Sequence, residues 1–173
     1  MANTYTLIEA KALTTTTTDI TFTSIPQTYT DLKLVYSARS NANTGSEGYD
    51  SVFYFNGAQS NRTSKVLRGD GSIASSNTID EAATFRLLRA IEPNNYTGSV
   101  FSNVEIHVPN YTNSNYKSFN VDAVVENNDT ITGMSLIAGL WSSTAAITSI
   151  TVGAINGSLV AYSTFYLYGI SNS

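Results

Sequence analysis

Apolar and polar side chains alternate along much of this chain, which is the pattern of a β-strand with one buried face. In the clearest early example, Leu32, Leu34, Tyr36 and Ala38 lie on one face, and Val35 is the only apolar residue on the other. A helix would instead repeat its apolar positions every three or four residues. The alternation therefore predicts strands here.

The same pattern returns later in the chain. Phe119, Val121, Ala123 and Val125 share one face, with Val124 as the apolar exception among polar residues on the other. The stretch 103–108 alternates in the same way and places its histidine on the polar face. Both stretches predict half-buried strands.

The sequence predicts an all-β fold of about ten short strands. One β-sandwich domain spans residues 1–173, with a jelly roll as the expected topology. The sequence leaves the strand order open. The predicted strands are Thr4–Ala10, Asp19–Thr23, Asp31–Arg39, Ser51–Phe55, Arg62–Leu67, Thr84–Ile91, Asn103–Val108, Ser118–Glu126, Met134–Trp141, Ile147–Val152 and Leu159–Ile170.

Breaker residues separate the predicted strands. Asn56-Gly57 and Asn156-Gly157 are typical of tight turns, because Asn and Gly adopt positive φ angles readily. The stretches Arg39–Tyr49 and Gly69–Asn77 are rich in Gly, Ser and Asn, so we expect mobile or partner-contacting loops there.

One segment allows a helix as an alternative to a strand. Thr78 and Glu81 have the spacing of a capping box, and Ala82–Arg89 contains good helix formers. We favour the strand because Phe85 and Leu87 also alternate and the neighbouring segments are all predicted as strands.

The amino-acid composition limits the classes of partner that we expect this chain to bind. Charged residues make up only 13% of the chain and the formal net charge is −4, so the electrostatic attraction that drives nucleic-acid binding is missing. There is no cysteine, and no apolar run reaches membrane-spanning length. The N-terminus does not resemble a signal peptide. We therefore expect a protein made in the cytosol that binds neither nucleic acid nor membrane.

The sequence offers weak candidates for chemistry, and we predict no enzyme, no catalytic residue, no cofactor and no metal. His107 is the only histidine and lies on a polar strand face, which favours an ordinary surface or interface role. The 13 Asp and Glu residues are scattered, without a marked pair for glycoside hydrolysis. Possible oxygen ligands for calcium lack the spacing of a dedicated loop: Asp122, Glu126, Asn127, Asn128 and Asp129.

Two further features have ordinary explanations that we prefer. Arg68-Gly69-Asp70 matches a tripeptide that integrins bind, but turn geometry accounts for Gly69 and for the following Gly71. Tyr162, Tyr166 and Tyr168 share one face of the last predicted strand, and Trp141 ends another. For these aromatic residues we expect core first, a subunit interface next and a saccharide platform third. The sequence names no binding residues.

The order of several segments resembles small virion proteins of tailed bacteriophages, especially those that infect cyanobacteria and other aquatic bacteria. The resemblance runs from about Tyr5 to Ile170, and none of its segments is a catalytic signature. The segments are Phe22–Leu32, Phe55–Gly57, Val108–Tyr111, Asn115–Ser118, Ala138–Trp141 and Ala146–Ile150.

This resemblance implies a jelly-roll-like capsid cement or decoration protein, usually a homotrimer. Such a protein sits on the outer surface of the virion shell, binds the major capsid protein and stabilises the capsid. The alternative is a tail-fibre or receptor-binding adhesin that binds host saccharide. A glycan-cleaving enzyme is the third hypothesis, and it requires two carboxylates at a catalytic separation.

Overall fold

A computed structural model describes residues 4–43, 50–79, 86–128 and 132–171, and these residues form an all-β protein. No helix occurs among them, so none is long and apolar enough to cross a membrane. The twelve strands are β1 (Tyr5–Ala12), β2 (Asp19–Phe22), β3 (Asp31–Ser37), β4 (Ser51–Phe55), β5 (Arg62–Gly69), β6 (Ala74–Ile79), β7 (Arg86–Leu87), β8 (Asn103–Val108), β9 (Lys117–Val125), β10 (Gly133–Trp141), β11 (Ile150–Ala154) and β12 (Thr164–Ile170).

The strands form two antiparallel sheets whose order is that of a jelly roll. The large sheet has the order β1-β12-β3-β8-β9-β10-β5-β6, and the small sheet has the order β2-β11-β4-β7. The runs β1-β12-β3-β8 and β2-β11-β4-β7 are the two four-stranded sheets of a jelly roll. The remaining four strands extend the large sheet beyond β8. The predicted all-β sandwich and its jelly-roll topology are confirmed.

The core lies between the two sheets and is rich in aromatic rings. The ring of Phe119 on β9 lies 5.6 Å from Phe53 and 5.3 Å from Phe55 on β4, measured between centroids. Trp141 on β10 lies 5.6 Å from Phe55. The hydroxyl groups of Tyr36 and Ser51 are 3.2 Å apart and join β3 to β4. These contacts fix the position of the small sheet over the large one.

The prediction of a loop over Gly69–Asn77 was wrong at Gly69 and from Ala74 onward, where the residues belong to strands. Residues from Ala74 onward form β6, which pairs with β5 so that Leu67 lies opposite Ser76. Its sequence, ASSNTI, has few strand-forming side chains, and backbone pairing with β5 overrides that weak propensity.

The helical alternative does not occur in the part that the structure describes. Thr78 belongs to β6, and Arg86 with Leu87 forms the short strand β7 against β4. Of the predicted strand Thr84–Ile91, the structure describes residues 86–91, and among these only Arg86 and Leu87 form a strand. Residues 80–85, including Glu81, lie outside the described residues.

The two predicted turns have positive φ angles but do not close hairpins. Asn56 and Gly57 have φ angles of 52° and 66°, and the amide of Ala58 donates to the carbonyl of Phe55. Asn156 has a φ angle of 56°. Each turn follows a strand of the small sheet, and the next strand in sequence belongs to the large sheet. The turns therefore reverse the chain between layers.

The start of the predicted loop Arg39–Tyr49 is buried instead of mobile. Arg39 donates from its guanidinium to the carbonyl oxygens of Thr97 and Val100, each at 2.9 Å. Ser40 and Ala42 are also buried. Residues 44–49 of this predicted loop lie outside the described residues.

The last strand is shorter than predicted, which changes the grouping of its tyrosines. Strand β12 begins at Thr164, so Tyr162 precedes it, with a φ angle of 71° and 83% of its surface exposed. Tyr166 and Tyr168 do share the outer face of β12. The prediction that Tyr162 joins them was wrong.

Candidate functional site

The candidate site is the outer face of the large sheet, which no other described segment covers as a layer. Inward-facing residues such as Val121 on β9 and Ile137 on β10 are buried in the core. Their sequence neighbours point outward. On this outer face the strand register aligns side chains in rows that cross the sheet.

One end of this outer face carries an exposed cluster that we name the aliphatic patch. Leu136 on β10 lies opposite Leu67 on β5, and Met134 on β10 lies opposite Val124 on β9. Their exposed fractions are 47%, 54%, 50% and 36% in that order. A shallow groove of about 510 Å³ runs between Lys65, Leu67 and Leu136. A group of large apolar side chains this exposed is typical of an interaction surface.

The middle of the outer face is a polar groove of about 300 Å³. Its lining residues are Tyr5, Lys33, Glu105, His107, Asn120 and Asp122. The ammonium of Lys33 lies 2.6 Å from a carboxylate oxygen of Glu105. The hydrogen bond to Glu105 raises the pKa of Lys33, so the ammonium of Lys33 stays charged around neutral pH.

The other end of the face is an aromatic strip made of Tyr5, Leu7, Tyr166 and Tyr168 on β1 and β12. Leu7 lies opposite Tyr168, and Ala10 lies opposite Tyr166. Tyr5 is 54% exposed and Leu7 is 50% exposed. Tyrosine combines a large apolar ring with a polar tip, which suits both protein interfaces and sugar stacking.

His107 lies on this outer face, where the sequence placed it. Its Nε2 atom is 3.4 Å from a carboxylate oxygen of Asp31, and 38% of its side chain is exposed. Within the described ranges, the hydrogen-bond partner of the His107 ring is Asp31, and no Ser or Thr hydroxyl bonds to it. The geometry is that of a histidine beside a carboxylate on an open face, without the nucleophile that a catalytic triad requires.

The structure brings together one carboxylate pair that the sequence did not mark. Glu105 on β8 lies opposite Asp122 on β9, and both side chains are on the outer face. Lys33 binds Glu105 and offsets the repulsion between the two carboxylates. The two side chains project in parallel from an open sheet, whereas glycoside hydrolysis needs them on opposite sides of the scissile bond.

The four described residues that were considered for calcium do not converge. The side chain of Asn127 turns inward and donates to Glu92 at 2.9 Å, while Glu126 accepts hydrogen bonds from Asn128 and Thr132. Asp129 lies outside the described residues. No group of three or more His, Asp or Glu side chains suited to a metal ion occurs among those described.

The tripeptide Arg68-Gly69-Asp70 leads into the turn between β5 and β6. One carboxylate oxygen of Asp70 accepts from the amides of Ser72 and Ile73 at 3.0 and 2.9 Å. These hydrogen bonds, the one to Ile73 foremost, lower the pKa of Asp70 to about 2. Gly71 has a φ angle of 86°, as expected for a turn, whereas Gly69 is the last residue of β5. The turn explanation holds for Gly71 and Asp70.

Trp141 is buried, as predicted, but the exposed patch residues were not predicted. Met134 and Leu136 belong to a strand in which both alternate faces are apolar, so the pattern did not reveal which face meets solvent. Val124 was the one available signal, because it interrupts an otherwise polar face. No protein-family model and no curated protein matches this sequence.

Proposed function

We propose that this chain is a structural protein of a tailed-phage virion that binds the outer surface of the capsid shell and stabilises it. The uncovered outer face of the large sheet, with apolar groups at both ends, is the observation that carries the proposal. A face of this kind needs a neighbour to cover it. The ordered resemblance to small virion proteins supplies the phage context.

The mechanism is binding through several copies at once. A homo-oligomer presents several aromatic strips to neighbouring major capsid subunits, so that modest contacts combine through effective concentration. Binding to the assembled shell in preference to its separated subunits stabilises the shell by mass action. The core between the two sheets holds the strip rigid, which lowers the entropy cost of binding.

The test is binding to purified particles that lack the protein. We expect the wild-type chain to bind them and to raise the temperature at which the shell releases DNA. Tyr5→Ser should reduce this binding because it removes a ring from the aromatic strip. Tyr162→Ser is the matched control, since Tyr162 is exposed but lies outside the outer face. Equal binding by both variants would contradict the role of the strip, and density only on the tail would contradict the capsid location.

A tail adhesin that binds saccharide is the second candidate, and the polar groove favours it. Tyr5 borders a groove that also contains the amide of Asn120 and the carboxylate of Asp122, and these groups suit sugar hydroxyls. Calorimetry with host polysaccharide tests this reading, with Asn120→Ala as the variant expected to lose binding. Sustained turnover of that polysaccharide would instead support the glycan-cleaving hypothesis through Glu105 and Asp122.

A further inference from the structure

The aliphatic patch has a composition that matches a second copy of itself. Strand β10 runs through its middle with Met134, Leu136 and Ala138 facing outward. Strand β5 flanks it on one side with the cation Lys65, and strand β9 flanks it on the other with the anion Asp122. Among the described residues, Asp122 has no ion pair or hydrogen-bond partner.

A two-fold axis parallel to β10 would lay β5 of one copy over β9 of the other. The axis keeps the rows aligned, so Leu67 of one copy lies over Asp122 of the other. Lys65 lies one row from Leu67 on the same strand, about 7 Å away, and its long side chain can reach that carboxylate. The dimer then contains two equivalent ion pairs, because a two-fold contact repeats each residue pair with the two copies exchanged. Leu136 meets its own counterpart at the axis.

The area of such a contact is sufficient. With β10 on the axis, the five strands β8, β9, β10, β5 and β6 overlap their counterparts. Strands spaced by about 4.8 Å, with about seven residues each at about 3.3 Å, give a sheet area of about 550 Å² per copy. The two copies together bury about 1,100 Å², which is just above the lower limit of roughly 1,000 Å² for a biological interface.

The polar side chains on the strands at the border of this overlap are also complementary between the two copies. Strand β8, with Glu105 and His107, would face β6 of the other copy, which carries the hydroxyl groups of Ser76 and Thr78. The aromatic strip lies on β1 and β12, outside the overlap. It therefore remains exposed in the pair, where the strips of the two copies face opposite directions and each can bind its own capsid subunit.

The geometry points to a two-fold dimer of this chain, formed by the aliphatic patches of two copies packed face to face. This inference rests on the self-association in the proposed function and specifies its surface and symmetry. It does not depend on where the protein sits in the virion. Apolar, self-complementary surfaces are typical of contacts between identical subunits.

The test is sedimentation of the purified full chain across a concentration series. We expect a species of about 37 kDa, twice the chain mass of 18.6 kDa. Leu136→Glu places like charges at the axis and should weaken dimerisation by about 30-fold or more. Leu7→Glu is the matched control on the same outer face and should leave the dimer intact.

Exchanging the charges of Lys65 and Asp122 distinguishes the loss of this specific contact from a general loss of folding. Lys65→Glu and Asp122→Lys should each weaken the dimer by about tenfold, and the double variant should restore it. A monomeric wild-type chain, a trimer, a dimer that survives Leu136→Glu, or a double variant weaker than either single variant would overturn the inference. A dimer that does not bind phage particles would leave this contact standing and refute the virion role.

Discussion

Gly139 lets the aromatic core close, and adding one methyl group there tests how tightly that core is packed. Gly139 lies on the inner face of β10, directly against the ring of Phe119. A Cβ atom added at Gly139 would lie 2.2 to 2.6 Å from three atoms of that ring. Carbon atoms pack best at about 3.5 to 4.0 Å, so in Gly139→Ala the ring must move by more than about 1 Å.

That movement has a cost that follows from the neighbours of Phe119. The ring touches Phe53 and Phe55 of the small sheet, so it can leave Gly139 only by disturbing those contacts. Overpacking a core costs about 1 to 3 kcal/mol, and a lost aromatic pair costs about 0.5 to 1.5 kcal/mol. We expect Gly139→Ala to lower the free energy of unfolding by about 3 kcal/mol.

Thermal unfolding followed by near-ultraviolet circular dichroism measures this loss. For a domain of this size, about 3 kcal/mol corresponds to a midpoint about 10 °C lower. Gly69→Ala is the matched control, because a Cβ atom at Gly69 meets no atom within 4 Å. Equal midpoints for the two variants would refute the packing argument. Combining Gly139→Ala with Phe119→Leu should recover part of the loss, since the two changes share one space.

Three further predictions concern single polar side chains. Lys117→Met should cost about 1 to 3 kcal/mol in urea unfolding, because the buried ammonium donates to two loop carbonyl oxygens at 2.6 and 2.5 Å. Wild type should lose more stability than Asp70→Asn between pH 4 and pH 2, because the pKa of Asp70 is lowered to about 2 and the unfolded chain takes up the proton first. Thermal midpoints that fall by the same amount in wild type and in Asp70→Asn over that pH range would contradict this prediction. Arg39→Lys should speed amide hydrogen exchange in residues 94–100, where four carbonyl oxygens accept from the guanidinium: those of Asn94, Tyr96, Thr97 and Val100.

The strands and their buried faces were predictable because alternation is a local property. Leu32, Leu34 and Tyr36 point inward on β3, and Phe119 and Val121 point inward on β9, as the pattern indicated. Each of these stretches has one face that is clearly more apolar than the other. Burial then selects that face, whatever the strand pairs with.

Strand order and the exposed surface were not predictable from the same pattern. Strand β6 was missed because Ser75, Ser76 and Asn77 are typical of loops, and only pairing with β5 makes them a strand. The aliphatic patch was missed because Met134 and Leu136 are as apolar as the residues facing inward on β10. Which face meets solvent depends on the placement of the small sheet, and that placement is a tertiary property.

The position of β12 in the large sheet has a consequence for biosynthesis. Strand β12 lies between β1 and β3, so these early strands lack their shared neighbour until residue 170 has left the ribosome. Until then they expose hydrogen-bonding edges that other chains can pair with. Pairings this distant in sequence close slowly. The large sheet therefore cannot close until β12 has emerged, and aggregation competes with folding during that interval.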